Sequence, residues 1–511
     1  MKTKQKAELG DFQTPLPLAR AIARMLARQR VSPAAVLEPT CGEGSFLVAA
    51  VDQFRGITKA VGLDINETYV AAARSALGAK SRACEVQLVH GDFFRTDWRS
   101  LLDTLPDPLL VVGNPPWVTN AHLGSLGSSN LPAKSNFQKH SGLDALTGKS
   151  NFDISEWMLI RLLEWLSERR ATLAMLCKTA VARKVLLYAW KSRLPLEASS
   201  IRLIDAEASF GAAVDACLLV CTLSPSAYNC DCSIYEHIGA QSRTGVFGYR
   251  DGRLIANAEA YERWKHLVGR ETIRWRSGIK HDCTRIMEFS REGDVYRNGL
   301  GELVSLEDRY LYPMLKGSKL ANSTTENPSR WMLVTQRTVG QDTSPIESSA
   351  PKTWGYLQSH ADILDRRASS IYRNRPRFSV FGVGPYSFTP AKVAISGFYK
   401  KLAFAEVGSH RNKPIVLDDT SYFLPCYGND EARYIASLLN TDVARELLSA
   451  FVFWDSKRPI TIDVLRRVDL LGLATELGSE NTMRRYLSAR PETSAIPAAD
   501  APTQKELFPT Y

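Results

Sequence analysis

Residues 109–117 read LLVVGNPPW, an unbroken apolar run followed at once by Asn114, Pro115, Pro116 and Trp117. A short continuous apolar run bounded by turn residues is the pattern of a parallel strand buried on both faces. Doubly wound sheets bind their ligands at the carboxyl ends of such strands, which is where this turn falls. Two successive prolines have φ fixed and no N–H to give, so the turn holds an amide, two carbonyls and an aromatic plane still. That equipment suits a planar amino group. By itself the tripeptide is equally a plain strand stop, and the surrounding chain decides between the two.

Working outward toward the start, three more strand patterns end in acids. Val36 to Glu38 leads into Pro39-Thr40-Cys41-Gly42-Glu43-Gly44, Ala60 to Ile65 carries Asp64, and Val86 to Val89 precedes Asp92 and Phe93. Gly42 and Gly44 let backbone amides approach a ligand closely, and Glu38 argues for a cationic or hydroxylated ligand rather than a pyrophosphate. Asp64 is placed to accept hydrogen bonds from ribose hydroxyls. Asp92 and Phe93 suit an exocyclic amine and a purine face. Each acid has the alternative role of a helix cap, which becomes less economical when three stand in a row. Ahead of them, Thr14 can cap and Pro15 can begin a helix whose Leu18, Ile22, Met25 and Leu26 share a face. The Gln13-Thr14-Pro15 segment is then a candidate ligand contact.

Working outward toward the end, strand patterns recur at Ala171–Lys178, Ser199–Ala206 and Ala216–Leu223, with helical runs at Ser155–Leu166 and Thr179–Ser192 between them. Seven strands alternating with helices predict an α/β fold, a doubly wound and mostly parallel sheet with helices on both faces. The closely spaced sixth and seventh strands predict a hairpin at one edge.

The chain has 511 residues, 44% of them hydrophobic, enough for two or three cored domains. Its 64 Lys and Arg outnumber 54 Asp and Glu, a charge of +10 that favours a polyanionic partner. Nine scattered cysteines without a CxxC pair indicate neither a disulfide framework nor a zinc ribbon, so a cytoplasmic protein without a metal is expected. The N-terminus MKTKQKAELG has no apolar core region and no run reaches membrane-spanning length, which argues against export or anchoring.

The order of these motifs resembles the gamma class of S-adenosylmethionine-dependent adenine-N6 DNA methyltransferases: a QTP segment, an EPxxGxGxF loop, the second-strand Asp, GDFF, then NPPW. The resemblance covers about the first 225 residues and implies a Rossmann-like seven-stranded methyltransferase sheet. It implies that Thr14, Pro15, Glu38, Gly42, Gly44, Asp64, Asp92 and Phe93 line the site of S-adenosyl-L-methionine. It also implies that Phe210, in AEASFGAAVDA, lies on the far face of the target base from Trp117. The alternative for Phe210 is a core aromatic. Trp117 stands where Tyr is commoner, which keeps the stack but changes its fit to adenine.

The chemistry follows from residue types. The lone pair of an adenine amine is delocalised into the ring and must be localised before it attacks a sulfonium methyl. The Asn114 side-chain oxygen and the Pro115 carbonyl can each accept one N–H, while Pro116 stiffens the turn and Trp117 holds the ring. A duplex substrate must extrude the base, at a cost of a few kcal/mol offset partly by aromatic stacking. The long connection from Val118 to Ser150 reads as a lid over that base.

Beyond 225 the composition shifts. Residues 226–274 read as a connector carrying strand-like and helical pieces, 275–475 as an α+β DNA target-recognition domain, and 476–511 as a flexible tail. Within 275–475, aromatic and basic residues interleave, and Lys280, Arg366, Arg367, Arg373, Arg375, Arg377, Lys457 and Arg458 are candidate contacts to double-stranded DNA, with Lys400 and Lys401 nearby. A solvated basic face on an oligomerisation domain is the alternative. The expected protein is a monomeric site-specific methyltransferase of a restriction-modification or phage anti-restriction system, with or without a separate cognate endonuclease. Rival readings are an RNA or protein-glutamine methyltransferase with the same NPP chemistry, and a non-catalytic DNA-recognition protein. Only ten residues precede Asp11, so no fused nuclease is expected there.

Overall fold

The computed structural model describes residues 12–78, 84–118, 153–269, 271–321 and 328–491. The chain divides into two compact units, Met1–Ala258 and Glu259–Tyr511. Unit 1 is built on one sheet. Its elements are α1 (Leu16–Arg28), β1 (Ala35–Glu38), α2 (Ser45–Gln53), β2 (Lys59–Asp64), α3 (Glu67–Leu77), β3 (Glu85–His90), α4 (Trp98–Asp103), β4 (Leu109–Gly113), α5 (Ile154–Trp165), β5 (Ala171–Lys178), α6 (Thr179–Lys191), β6 (Leu196–Ile204), α7 (Ala206–Phe210) and β7 (Ala216–Leu223). Three further strands follow: β8 (Asp231–Tyr235), β9 (Gly245–Arg250) and β10 (Arg253–Ile255).

The strand order is β10-β9-β8-β6-β7-β5-β4-β1-β2-β3. Strands β3, β2, β1, β4 and β5 are mutually parallel, whereas β7 runs antiparallel between β5 and β6. All five residues of β4 are buried, so neither sheet face at this strand meets water, as its apolar run implies. On one face Val36, Leu110, Val112, Ala174, Leu176, Leu218 and Val220 form a core with Ile22, Met25 and Leu26 of α1 and Phe46 and Leu47 of α2. The predicted apolar stripe of the first helix is therefore its packing face. At the other end, β3 alternates polar and half-buried residues because it is an edge.

Three expectations change. The sixth and seventh strands do pair antiparallel, but not at an edge, since β8 pairs parallel to the outer side of β6 and carries β9 and β10 beyond it. Residues 231–255 are therefore sheet rather than connector, and the first compact unit ends near 258 instead of 225. Strand-like pieces are legible there, but periodicity in short half-buried strands does not show that they extend the main sheet. Finally, the first part of the expected tail is folded: Glu480–Ser488 is a helix anchored by Met483, which is fully buried, and Arg490 pairs with Glu431 at 2.6 Å. Only residues from 492 onward lie outside the described chain at that end.

Unit 2 is α+β, as expected. A four-stranded and a six-stranded sheet are interspersed with short helices, and its main core gathers Ile286, Phe289, Trp331, Met332, Leu357 and Val380. Short sequence elements far apart in the chain meet tightly here. Gly278 N–H donates to the Ser421 carbonyl, Ile279 N–H to the Leu417 carbonyl, and Asp418 N–H to the Leu315 carbonyl. A Cβ on Gly278 would stand 2.0 Å from the Asp418 carbonyl oxygen, so only glycine permits this approach.

Candidate active site

The residues that matter leave the carboxyl ends of five adjacent strands. Along the rim, in sheet order, come Lys178 (end of β5), Asn114 (after β4), Glu38 (end of β1), Asp64 (end of β2) and Asp92 (after β3). From Asn114 to Asp92 the rim covers three interstrand steps of about 4.8 Å each, roughly 14 Å. This row is the parallel-sheet translation of the acid-tipped strands.

The glycine loop is held by its acids. Asp64 accepts from Gly42 N–H at 2.8 Å through one oxygen and from Asn66 N–H at 2.8 Å through the other. Gly42 has φ +48° and Gly44 φ +81°, left-handed values that favour glycine, and Gly44 forms the N-terminal cap of α2. Glu38 is buried, with the Leu47 N–H donating to Oε2 at 3.1 Å. Burial pushes its carboxyl well above the usual range, and the Asp64 charge adds to this against the Leu47 hydrogen bond. Such a carboxyl gains from a cationic neighbour. Burial also raises the Cys41 thiol, so it offers no nucleophile.

Asp92 accepts from Phe94 N–H at 2.9 Å and lies 3.5 Å from Arg95. Phe93 departs from expectation. Its ring is 5% exposed and packs 4.7 Å from Trp98, among Phe94, Trp157 and Trp165. It is a core ring and presents no open face to a purine. Thr14 also differs: it is buried and does not cap α1, whose cap residue is Pro15 with no side-chain hydrogen bond, one residue later than predicted. Pro15 itself is exposed.

The Asn114 turn carries the most telling atom. Its Nδ2 donates to the Phe12 carbonyl at 2.9 Å, which fixes which end of the amide is which, since a carbonyl accepts only from the NH2. Its Oδ1 is buried without a hydrogen-bond partner among the described residues. A buried acceptor left unpaired costs about 1–3 kcal/mol, so it marks where a donor is awaited. Pro115 is buried and Pro116 half-buried beside it.

Trp117, Phe210 and Phe12 form one aromatic cluster. Trp117 and Phe210 stand 5.3 Å apart at 75°, Phe12 and Trp117 5.8 Å apart at 47°, and Phe12 and Phe210 6.1 Å apart at 59°. A ring held between two aromatic planes needs about 7 Å between them, two contacts of about 3.5 Å. Trp117 and Phe210, expected on opposite faces of the target base, touch each other edge to face, and the two-sided clamp is not formed in this arrangement.

Sequence reasoning missed several neighbours. Lys178 Nζ donates to the Trp117 carbonyl at 3.1 Å and to Asp153 at 2.7 Å, and Ile154 N–H donates to the Val118 carbonyl at 2.9 Å. Residues 118 and 153 are thereby tied together beside the turn; the predicted lid falls mostly within 119–152, outside the described residues. A lysine closing an apolar strand was the available signal. Phe12 carried none, because an aromatic ahead of a helix is commonplace.

The predicted cations of unit 2 fall into two groups. Arg367 donates to the carbonyls of Leu364, His281 and Ser379 and lies 3.6 Å over Tyr372; burial lowers its pKa. Arg377 forks onto Asp365 at 2.7 Å, Arg458 donates to the Asp419 carbonyl, and Lys280 is largely buried 3.6 Å from Asp282. These four are engaged within the fold. Arg366, Arg373, Arg375 and Lys457 are exposed, and no carboxylate pairs with them among the described residues; Lys400 and Lys401 are exposed as well. No helix among the described residues is long and apolar enough to cross a membrane, and no group of three or more His, Cys, Asp or Glu side chains there is placed to hold a metal ion.

The N-6 DNA methylase family model matches residues 1–180. The chain is 45% identical over 473 residues to the type II methyltransferase M.NspV of a Nostoc species, covering 92% of this chain and 98% of that protein. In fold it is similar to the type IIL restriction-modification enzyme MmeI, solved in complex with DNA, at a TM-score of 0.51 and 13% identity, covering 94% of this chain and 68% of that one.

Proposed function

Because the chain belongs to the type II DNA methyltransferases with an N-6 DNA methylase domain, we propose that the acid-tipped rim is its S-adenosylmethionine site and the Asn114 turn its adenine site. The enzyme is an adenine-N6 DNA methyltransferase of restriction-modification type. The observation that carries the site assignment is the buried, unpaired Asn114 Oδ1 at the end of a strand flanked by that rim.

The donor set fits the cofactor. The carboxylates of Glu38, Asp64 and Asp92 stand at the carboxyl ends of β1, β2 and β3, which suits an ammonium, a ribose diol and an exocyclic amine, and suits a phosphate poorly. Glu38 faces the ammonium, whose charge offsets the cost of its burial. Asp64, already holding the glycine loop by Gly42, has lone pairs left for the ribose hydroxyls. Ile65, 50% exposed directly after Asp64, offers an apolar face to the cofactor's adenine, and Asp92 takes its amine. When bound, the cofactor supplies an electrophilic methyl on a sulfonium.

The chain's own work is then to shape the nucleophile. Asn114 Oδ1 accepts one N–H of the target amine and the Pro115 carbonyl the other, drawing the nitrogen toward a pyramidal geometry whose lone pair points along the rim. Trp117 stacks on the base, and Phe210, at the end of the five-residue α7 and before Gly211 at φ +67°, moves off Trp117 to admit it. Acceptors held rigid by two prolines need no reorganisation as positive charge builds on the nitrogen.

We assign duplex binding to unit 2, with contacts from Arg366, Arg373, Arg375 and Lys457, the exposed members of the predicted set that no carboxylate pairs with among the described residues. The protein acts as a monomer in the cytoplasm, with or without a separate cognate endonuclease. Expression in a methylation-deficient host followed by single-molecule sequencing tests the whole reading: N6-methyladenine at one recurrent DNA site is the expected result, and unmodified DNA with methylated RNA or protein would overturn it.

A further inference from the structure

We infer that Gln13 is a positioning residue that ties the cofactor loop to the catalytic amide. Two neighbouring residues reach two parts of the site that are far apart in sequence. The Phe12 carbonyl accepts from Asn114 Nδ2 at 2.9 Å, and Gln13 Oε1 accepts from Glu43 N–H at 3.2 Å. Gln13 also packs so closely on the glycine loop that a Cβ on Gly42 would lie 2.2 Å from Oε1. Gly42 in turn donates to Asp64. A continuous path therefore runs from Asp64 through Gly42 and Gln13 to Phe12 and Asn114.

The path has a direction of action. Asn114 Oδ1 presents its lone pairs to the target amine only while Nδ2 stays on the Phe12 carbonyl; rotation of the amide by half a turn would aim a donor at a donor. The Phe12 carbonyl belongs to a segment preceding α1, where Thr14 makes no capping bond to the helix. Its position is set from the other side, by the Gln13 bond to the glycine loop. Thr40 adds a weaker hold, its Oγ1 donating to the Asn114 backbone carbonyl at 3.4 Å. Ordering of the Gly42 loop by cofactor is thus passed to the amide that receives the adenine, and the site becomes competent for the base only when the loop is set. The inference rests on Asn114 being the amine acceptor.

The test compares Gln13→Ala, Gln13→Glu and Asn114→Ala in the full-length protein. The readouts are S-adenosylmethionine affinity by calorimetry and kcat for methyl transfer to plasmid DNA from a methylation-deficient host, with thermal unfolding as a check on folding. Gln13→Ala is expected to lower kcat at saturating cofactor about tenfold, the scale of one ordinary hydrogen bond, with a smaller change in cofactor affinity. Gln13→Glu, which keeps an acceptor at the same reach, is expected to recover most of that loss. If Gln13→Ala weakens cofactor binding while kcat is unchanged, or if Gln13→Glu is as impaired as Gln13→Ala, the inference is wrong. If Asn114→Ala itself keeps its turnover, it is the assignment of Asn114 that fails, and the two failures are distinct.

Discussion

In unit 1 the predicted acids and Asn114 lie along one rim of one sheet, whereas in unit 2 the predicted DNA contacts divide into four cations engaged by groups of the fold, Arg377 among them through a surface ion pair, and four exposed ones with no carboxylate partner among the described residues. The difference comes from what each prediction was made of. In unit 1 Glu38, Asp64, Asp92 and Asn114 are each tied to a strand end, and parallel strands bring their carboxyl ends to the same edge whatever their separation in sequence. In unit 2 the residues were chosen by charge and crowding, which do not say where a side chain points. Arg366 and Arg367 make the case: one is exposed, and its neighbour holds three backbone carbonyls together.

The sharpest way to test the coherence of the rim is to separate its two functions. Asn114→Ala will lower turnover by about 10²–10³-fold, the loss typical of a preorganised polar group acting on developing charge, with cofactor affinity nearly intact. Asp64→Ala will do the reverse in order, weakening S-adenosylmethionine binding first, because it removes the acceptor for Gly42 N–H along with the ribose contact. Calorimetry and single-turnover methylation on both variants provide the check. Equal loss of cofactor affinity in the two would collapse the distinction.

The division within unit 2 predicts opposite signatures for adjacent arginines. Arg367→Ala will destabilise the protein by about 2–3 kcal/mol, since three carbonyls lose a charged donor. Arg373→Ala and Arg375→Ala will leave the unfolding midpoint unmoved and weaken DNA binding; a residue that contacts phosphate will lower the salt slope by about 0.9, and one that reads a base will relax the methylated site at one position. Unfolding curves, salt titrations and site mapping on the three variants separate these. A lowered midpoint for Arg373→Ala, or unimpaired stability for Arg367→Ala, would break the division.

How much was legible follows the same line. The apolar run of β4, the acid ends of β1 and β2 and the stripe on α1 were readable because burial and periodicity write directly into sequence. Phe93 was misjudged because GDFF sits in a turn, where no alternation tells which of two rings faces the core. Strand-like pieces are legible in the sequence of β8–β10, but their membership of the main sheet is not, because β8 joins it by pairing with β6 and carries β9 and β10 beyond, a tertiary fact. The meeting of Phe12, Trp117 and Phe210 joins rings 198 positions apart, from residue 12 to residue 210, and no local pattern records it.

The smallest expected effect sets one buried titratable group of each unit against the other. Glu38 in unit 1 has its carboxyl raised by burial, so the stability it contributes is fully present at acidic pH and is lost as pH rises through that raised value. Lys392 in unit 2 is fully buried, with Nζ donating to the Thr389 carbonyl at 3.0 Å, and burial lowers it to about 7. Its sign is opposite: the contribution is present above the ordinary lysine range and is lost as pH falls through about 7. Methionine has a similar length and no charge to desolvate. Lys392→Met will therefore raise the unfolding midpoint of unit 2 at pH 6, with the gain shrinking as pH rises beyond 7 toward 10. Glu38→Gln will raise the midpoint of unit 1 at alkaline pH, with the gain shrinking as pH falls toward 5, and will weaken cofactor binding throughout. It will also abolish a proton release that accompanies S-adenosylmethionine binding, measured by calorimetry in buffers of different ionisation enthalpy, because an ammonium beside Glu38 favours its charged form. Parallel pH profiles for the two variants, or proton release that survives Glu38→Gln, would show that the two buried groups do not oppose each other in this way.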